Sequence, residues 1–209
     1  MLTGKKIVLG VSGGIAAYKM ANVASMLSKL HADIHVVMTE NATHFITPET
    51  FEVLTGNHCY TDTFDRCMEL HVPHIALGTQ ADAILIAPAS ADVVGKIANG
   101  IADDMLTTCV LPATCPVMLA PSMNVHMYEN PIVQDNMKKL VSYGYEIIEA
   151  DEGYLACRDI GKGKLPPEHV LVDYIIRACA MDKDLAGKKV LVTAGATQES
   201  IDPVRYITN

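Results

Sequence analysis

The sequence predicts an α/β domain built on a doubly wound parallel sheet. Three observations predict it. Short apolar runs recur along the chain and alternate with segments of helical periodicity. Each run is apolar on both faces, as a strand covered by helices on both sides must be. The runs end in loops of glycine, proline and small hydroxyl residues, which punctuate strand-to-helix turns.

The first run is Ile7-Val-Leu-Gly-Val11, ending in Ser12-Gly13-Gly14. Val23, Met26, Leu27 and Leu30 then fall on one face of a helix. Ile34-His-Val-Val-Met38 is the second strand and stops at Thr39-Glu40. Thr47-Pro48-Glu49 places proline at a first helical position, opening a short helix to Leu54. Ala83-Ile-Leu-Ile-Ala87 is the third strand; it ends at Pro88-Ala89-Ser90 and is followed by a helix through Ile97. Val117-Met-Leu-Ala120 is the fourth, ending at Pro121-Ser122-Met123-Asn124. Residues 131–142 read as helix, Tyr145-Glu-Ile-Ile148 as a fifth strand and 167–181 as helix. The order describes a three-layer α/β/α domain of Rossmann or flavodoxin-like type. Such sheets take ligands beyond the carboxyl ends of their strands. Ser12, Thr39, Ser90 and Ser122 stand at those ends, which suits a ligand bearing a phosphate.

Composition narrows the function classes. Of 209 residues, half are apolar and 19% are charged, which excludes a disordered chain. Sixteen basic against 24 acidic residues give a net charge of −8, so nucleic acid is not expected as the main partner. No apolar run approaches the roughly 18 residues of a membrane helix, so no membrane partner is expected. Lys5-Lys6 and the apolar run after them imitate a signal peptide, but Gly10, Gly13 and Gly14 interrupt it. Cysteines at 59, 67, 109, 115, 157 and 179 form no CxxC pair and read as free thiols of a reducing, cytoplasmic compartment. The pattern restarts at Gly187-Lys-Lys-Val-Leu-Val-Thr-Ala-Gly195, a second basic pair, apolar strand and glycine-containing loop. Residues 1–184 are therefore expected to form one domain and 185–209 the start of another, in a piece of a longer protein.

The first loop is not GxGxxG, and the second strand ends in Thr39 where a dinucleotide fold would want a carboxylate, although Glu40 is adjacent. A hydroxyl there suits a phosphate or a flavin edge. The loop alone leaves a tight turn and a ligand cradle equally open; four hydroxyl-bearing strand ends together favour the ligand.

Several longer stretches occur in a specific order: Gly10-Val-Ser-Gly-Gly-Ile-Ala-Ala-Tyr-Lys19, Val72-Pro-His-Ile-Ala-Leu77, Ala87-Pro-Ala-Ser-Ala91, Pro121-Ser-Met-Asn-Val-His-Met127 and Leu155-Ala-Cys157. The chain resembles the flavin-containing cysteine decarboxylases, and among them the phosphopantothenoylcysteine decarboxylase family. Thr193-Ala-Gly-Ala-Thr197 and Ile201-Asp-Pro-Val-Arg-Tyr-Ile-Thr-Asn209 resemble the opening of the phosphopantothenate–cysteine ligase half that follows it in bifunctional members.

The resemblance implies decarboxylation of 4′-phosphopantothenoyl-L-cysteine to 4′-phosphopantetheine with flavin mononucleotide (FMN), in coenzyme A biosynthesis. Loss of CO2 from an N-acyl cysteine leaves a carbanion without an electron sink. Oxidation to a thioaldehyde places a C=S group where it accepts that pair, and re-reduction then gives the thiol. The resemblance makes His74 the base, since histidine exchanges protons near neutrality. It gives Asn124 the substrate carboxylate or acyl amide, with Met127 and Ala156 as further substrate contacts, and Cys157 the role of proton donor. Standing alone, His74 would read as a capping histidine, Asn124 as a turn residue and Cys157 as a small buried hydrophobe. FMN falls by resemblance to Ser12, Gly13, Gly14, Ile15, Thr39, Ser90 and Ala91, with Phe45 as an apolar wall. The ligase half would need CTP and Mg2+, and residues 185–209 alone are not expected to ligate. The family binds flavin between subunits of trimers that assemble further, up to dodecamers.

Four departures stand out. Asp92 replaces an asparagine after Ala91, Arg158 replaces a glycine after Cys157, Gly161-Lys-Gly-Lys164 stands in place of a Gly-x-Gly-Arg ending, and Tyr128 stands where relatives carry tryptophan. A carboxylate at 92 is expected to weaken a ring contact or repel a phosphate. Two other readings remain: a non-catalytic flavin-binding regulatory subunit, which the joint presence of His74, Asn124 and Cys157 argues against, and a flavin prenyltransferase, which lacks the cysteine-bearing loop. The Cys157→Ser variant is expected to consume substrate but stall before reduced product, as read by CO2 release against thiol formation. Full turnover by this variant would remove Cys157 from the chemistry.

Overall fold

The computed structural model describes residues 1–64, 72–154, 159–180, 184–185, 187–196, 198–202 and 204–208. Strand β1 (Lys6–Val11) runs through a 3-10 turn (Ile15–Tyr18) into α1 (Lys19–Lys29) and then β2 (Asp33–Met38). The chain continues through α2 (Glu40–Thr43), α3 (Pro48–Thr55), the two-residue β3 (Cys59–Tyr60) and α4 (Pro73–Gln80) to β4 (Ala83–Ala89). Next come α5 (Ala91–Ala98), α6 (Met105–Val110), β5 (Val117–Pro121), α7 (Val125–Tyr128), α8 (Pro131–Ser142) and β6 (Glu146–Ile147). A hairpin of β7 (Asp151–Tyr154) and β8 (Ile160–Lys164) precedes α9 (Glu168–Cys179), and a second hairpin pairs β9 (Gln198–Ser200) with β10 (Tyr206–Thr208).

The main sheet has six parallel strands in the order β3-β2-β1-β4-β5-β6. The chain winds outward from β1 through β3, then returns to β4 beside β1 and winds the other way. Alternation along β1 builds two cores. Ile7, Leu9 and Val11 join α1, α3 and α9 through Leu27, Phe51 and Ile175. Val8 faces the other way, to Leu77, Val93, Leu106 and Leu140 of α4, α5, α6 and α8. Burial on both faces explains why the central runs, Ile7–Val11, β4 and β5, are continuously apolar.

The structure agrees with the expected doubly wound, three-layer class and adds elements that composition does not announce. β3 is too short for a pattern. α4 and α6 are brief, although Pro73 at the start of one and Asp104 at the start of the other are helix-opening signals. Asp104 and Thr107 form a reciprocal capping box, carboxylate to backbone N–H at 2.8 Å. β7 and β8 are rich in charge and glycine and pair only with each other. One expectation is corrected: Val190–Val192 form no strand, and Leu191 is 90% exposed. An apolar strand needs a sheet neighbour and a covering layer, and neither reaches this segment among the described residues. Among the described residues, cysteines 59, 109 and 115 are free thiols. No described helix is long and apolar enough to cross a membrane.

Helices α4 and α6 cross closely because Gly78 has no side chain. A Cβ there would lie 2.4 Å from the Cys109 carbonyl oxygen and 2.9 Å from Pro112 Cγ. Helix propensity favours alanine over glycine by about 1 kcal/mol, yet backbone cannot move aside cheaply. Gly78→Ala is therefore expected to destabilise the chain by about 1–3 kcal/mol in denaturant unfolding. A stabilised variant would show that the crossing is loose.

Candidate active site

The site forms where the winding reverses, between the loops that leave β1 and β4. Ser12 joins them. It is 1% exposed; its hydroxyl donates to the Pro88 carbonyl at 2.6 Å and accepts from Ser90 N–H at 2.9 Å. Ser90 in turn caps α5 by accepting from Val93 N–H at 3.3 Å. Thr39 N–H donates to the Val11 carbonyl at 3.0 Å, and Ser122 N–H to Ala89 at 3.1 Å. The four strand ends are thereby bonded to one another, end by end. Gly13 is needed where the first loop meets α2: a Cβ would lie 2.5 Å from Asn41 Cβ and 3.0 Å from its backbone.

Above these bonds lies a cavity of about 450 Å3. Gly13, Gly14, Ile15, Ser90, Ala91, Asn124 and Met127 line it, together with Lys19, Tyr154 and Lys164. A second cavity of about 370 Å3 shares Gly13, Ser90, Ala91 and Met127 and adds Thr39. Its wall also holds Glu40, Asp92, Asp103 and Asp104 around Lys96. The Lys96 ammonium meets Asp103 at 3.0 Å and Asp92 and Asp104 at 3.3 Å each. Partial burial pushes its pKa down, but hydrogen bonds to Asp103 and Asp92 and the field of Asp104 prevail and hold it above the ordinary lysine value. Asp92 is thus tied to a cation one helical turn away rather than left as a bare charge beside Ser90.

Asn124 caps α7, its Oδ1 accepting from His126 N–H at 2.9 Å while Nδ2 donates to Asp159 at 3.1 Å. The β7–β8 hairpin backs onto this segment, with Met123 N–H donating to the Gly163 carbonyl at 3.0 Å. Gly163 has φ 144 and a Cβ would lie 2.4 Å from the Met123 oxygen, so only glycine fits there.

The residues expected from the sequence divide into four groups. Gly13, Gly14, Ile15, Ser90, Ala91, Asn124 and Met127 share one cavity wall, and Thr39 joins them through the adjoining one. Ser12 lies beneath, as the bond between loops rather than as lining. His74, on the first turn of α4, and Phe45, 47% exposed after α2, line neither cavity. His74 Nδ1 is buried and finds no hydrogen-bond partner among the described residues. Cys157 and Ala156 lie outside the described residues. Sequence reasoning missed Tyr154 and Asp159, which no motif marked, and the three-carboxylate grip on Lys96, which the capping pattern Asp104-x-x-Thr107 would have helped to place.

One observation tests whether a flavin nucleotide fits. Thr39 Oγ1 is buried without a hydrogen-bond partner among the described residues, in the wall of a cavity. An orphaned buried hydroxyl costs free energy unless a ligand completes it. With the open face of Gly14, where a Cβ would meet only Pro88 Cγ at 3.9 Å, and Lys19 and Lys164 nearby, the donor set fits a phosphate-bearing, partly apolar ligand such as FMN.

Comparison with known proteins points the same way. Residues 1–180 match the family profile described as Flavoprotein, and residues 185–209 that of the DNA/pantothenate metabolism flavoprotein C-terminal domain. The chain is 48% identical over 211 residues to the coenzyme A biosynthesis bifunctional protein CoaBC of Bacillus subtilis, covering all of this chain and 52% of that protein. It therefore spans about half the length of the curated relatives it matches. Among solved structures it is similar to a cysteine-to-serine variant of PPC decarboxylase complexed with pantothenoylaminoethenethiol, at 29% identity and TM-score 0.74, covering 82% of this chain and 96% of that one. It is also similar to the FMN-dependent cysteine decarboxylase SpaF, at 34% identity and TM-score 0.70, covering 84% and 99%.

Thr39→Val keeps the shape of the side chain and removes the hydroxyl. Without flavin, the variant is expected to be as stable as the wild type or about 1 kcal/mol more stable in denaturant unfolding. Its affinity for FMN, followed by fluorescence titration, is expected to fall about tenfold. A destabilised variant that binds FMN with undiminished affinity would take Thr39 out of the site.

Proposed function

Since the chain belongs to the flavoprotein family, we propose that it carries FMN and decarboxylates 4′-phosphopantothenoyl-L-cysteine to 4′-phosphopantetheine. The observation that carries this reading is the convergence of Gly13, Gly14, Ile15, Ser90 and Asn124 on one cavity at the switch point of the sheet. The relatives' printed activities, decarboxylation with FMN and coenzyme A biosynthesis, support it. Residues 1–184 are the decarboxylase domain in this reading. Residues 185–209 begin a phosphopantothenate–cysteine ligase domain, whose reaction would use CTP and Mg2+ in the longer protein.

Bound FMN supplies reversible two-electron oxidation and reduction at the sulfur-bearing carbon. The Gly13–Ile15 loop and Ser90, with Thr39 beside them, hold it. Asn124 fixes the carboxylate or acyl amide of the substrate, so that the C–C bond to be broken keeps one orientation. Tyr154 and Met127 add apolar surface to the cavity wall. His74 takes a proton from the substrate during its oxidation, and Cys157 returns one when the thiol product is restored.

His74 and Phe45 stand outside the cavity of their own chain, and this favours a site completed between subunits. His74 opens a helix that leads into β4, so its helix start lies at the carboxyl edge of the sheet, the edge that carries the site. Exposed Ile15, Tyr18, Phe45, Ile75 and Met127 give that edge an apolar rim suited to a second copy. We place the protein in a trimer-based homo-oligomer, in the cytoplasm, where its thiols stay reduced.

Anaerobic mixing of the flavin-loaded protein with 4′-phosphopantothenoyl-cysteine tests the reading. Transient bleaching of the flavin band together with CO2 release is expected. A yellow protein that neither bleaches nor releases CO2 would favour a binding subunit, and a colourless one after FMN addition would overturn the cofactor assignment.

A further inference from the structure

Asn124 holds the carboxylate or the acyl amide of the substrate in the reading above; for the carboxylate, the amide it would use already holds a carboxylate of this chain. Nδ2 donates to Asp159 Oδ2 at 3.1 Å. The orientation follows from the other end of the amide. Only the oxygen can accept the His126 N–H, at 2.9 Å, so the nitrogen faces Asp159. The neighbouring backbone keeps Asp159 in place. It precedes β8 directly, and β8 is pressed against the Asn124 segment: a Cβ at Gly161 would lie 2.6 Å from Val125 Cγ2, and Met123 N–H bonds the Gly163 carbonyl at 3.0 Å. The contact thus joins two segments that are themselves fixed, 35 residues apart in sequence.

Resting on the decarboxylase reading, we propose that Asp159 is a specificity-determining positioning residue that competes with the substrate carboxylate for the Asn124 amide. Two carboxylates on one donor repel, so the substrate must draw the amide away from Asp159 to bind. The product carries no carboxylate and does not compete. The contact between Asp159 and Asn124 re-forms as CO2 leaves, so the free energy spent in separating them is returned along the reaction coordinate. Asp159 touches neither the reacting carbon nor sulfur in this account; it acts through Asn124.

Two unreactive probes test this. 4′-Phosphopantothenoyl-serine keeps the carboxylate with a hydroxyl in place of the thiol; 4′-phosphopantothenoyl-ethanolamine lacks the carboxylate. Their dissociation constants are measured by flavin absorbance on the FMN-loaded wild type, Asp159→Asn and Asp159→Ala. The serine probe is expected to tighten about tenfold in both variants, the worth of one charge-assisted hydrogen bond released, while the ethanolamine probe changes by less than about twofold. Equal changes for both probes, or weaker binding of the serine probe, would overturn competition and leave the decarboxylase reading standing. Failure of the wild type to bind either probe would overturn the decarboxylase reading and this inference with it.

Discussion

The structure depends on one buried hydroxyl. Ser12 serves as donor to Pro88 and acceptor from Ser90, and so closes the gap between the loops of the two central strands. Parallel strands share hydrogen bonds along their length, but beyond their ends the backbone groups need other partners. At the reversal of winding the two helices that follow, α1 and α5, diverge to opposite faces of the sheet. The space between their starts is the cavity, and Ser12 ties the loops together beneath it. A residue with no hydroxyl would leave the Ser90 N–H without that partner and the Pro88 carbonyl with only the Ser12 N–H, at 3.3 Å.

Charge is managed around that cavity rather than removed from it. The chain carries eight more acidic than basic residues, and four carboxylate side chains reach the smaller cavity. Lys96 gathers three of them, which spares a phosphate-bearing ligand most of their repulsion. Asp92 is part of that cluster, so the departure at this position is absorbed by an ion pair at i, i+4 instead of standing against the ligand. On the other wall the glycines of β8 let the hairpin approach the Asn124 segment closely. The same approach brings Asp159 to the Asn124 amide.

The sequence was most legible where physical pattern and structure share a period. Five apolar runs marked five strands of the main sheet; burial on both faces keeps Ile7–Val11, β4 and β5 apolar throughout, while β2 admits His35 and the edge strand β6 admits Glu146 where they are less buried. The loop residues Gly13, Ser90 and Asn124 were legible because strand ends demand small or hydrogen-bonding side chains. β3, with two residues, has no period to detect. The β7–β8 hairpin is held by its own ladder and by glycine contacts, so it needs no apolar alternation. The repeat at Val190–Val192 misled for the converse reason: it has the composition of a strand but no neighbour to pair with among the described residues.

By itself the sequence determined the α/β class, the strand order along the chain and the residue types at the strand ends, since these follow from local patterning and turn chemistry. Only the tertiary structure decided which of those ends meet. It made Ser12 a tie between loops, left the Thr39 hydroxyl unpartnered, set His74 and Phe45 apart from the cavity and brought Asp159 to Asn124. Such pairings join residues tens of positions apart, and their distances are fixed by sheet order and helix packing, which no short stretch of sequence encodes.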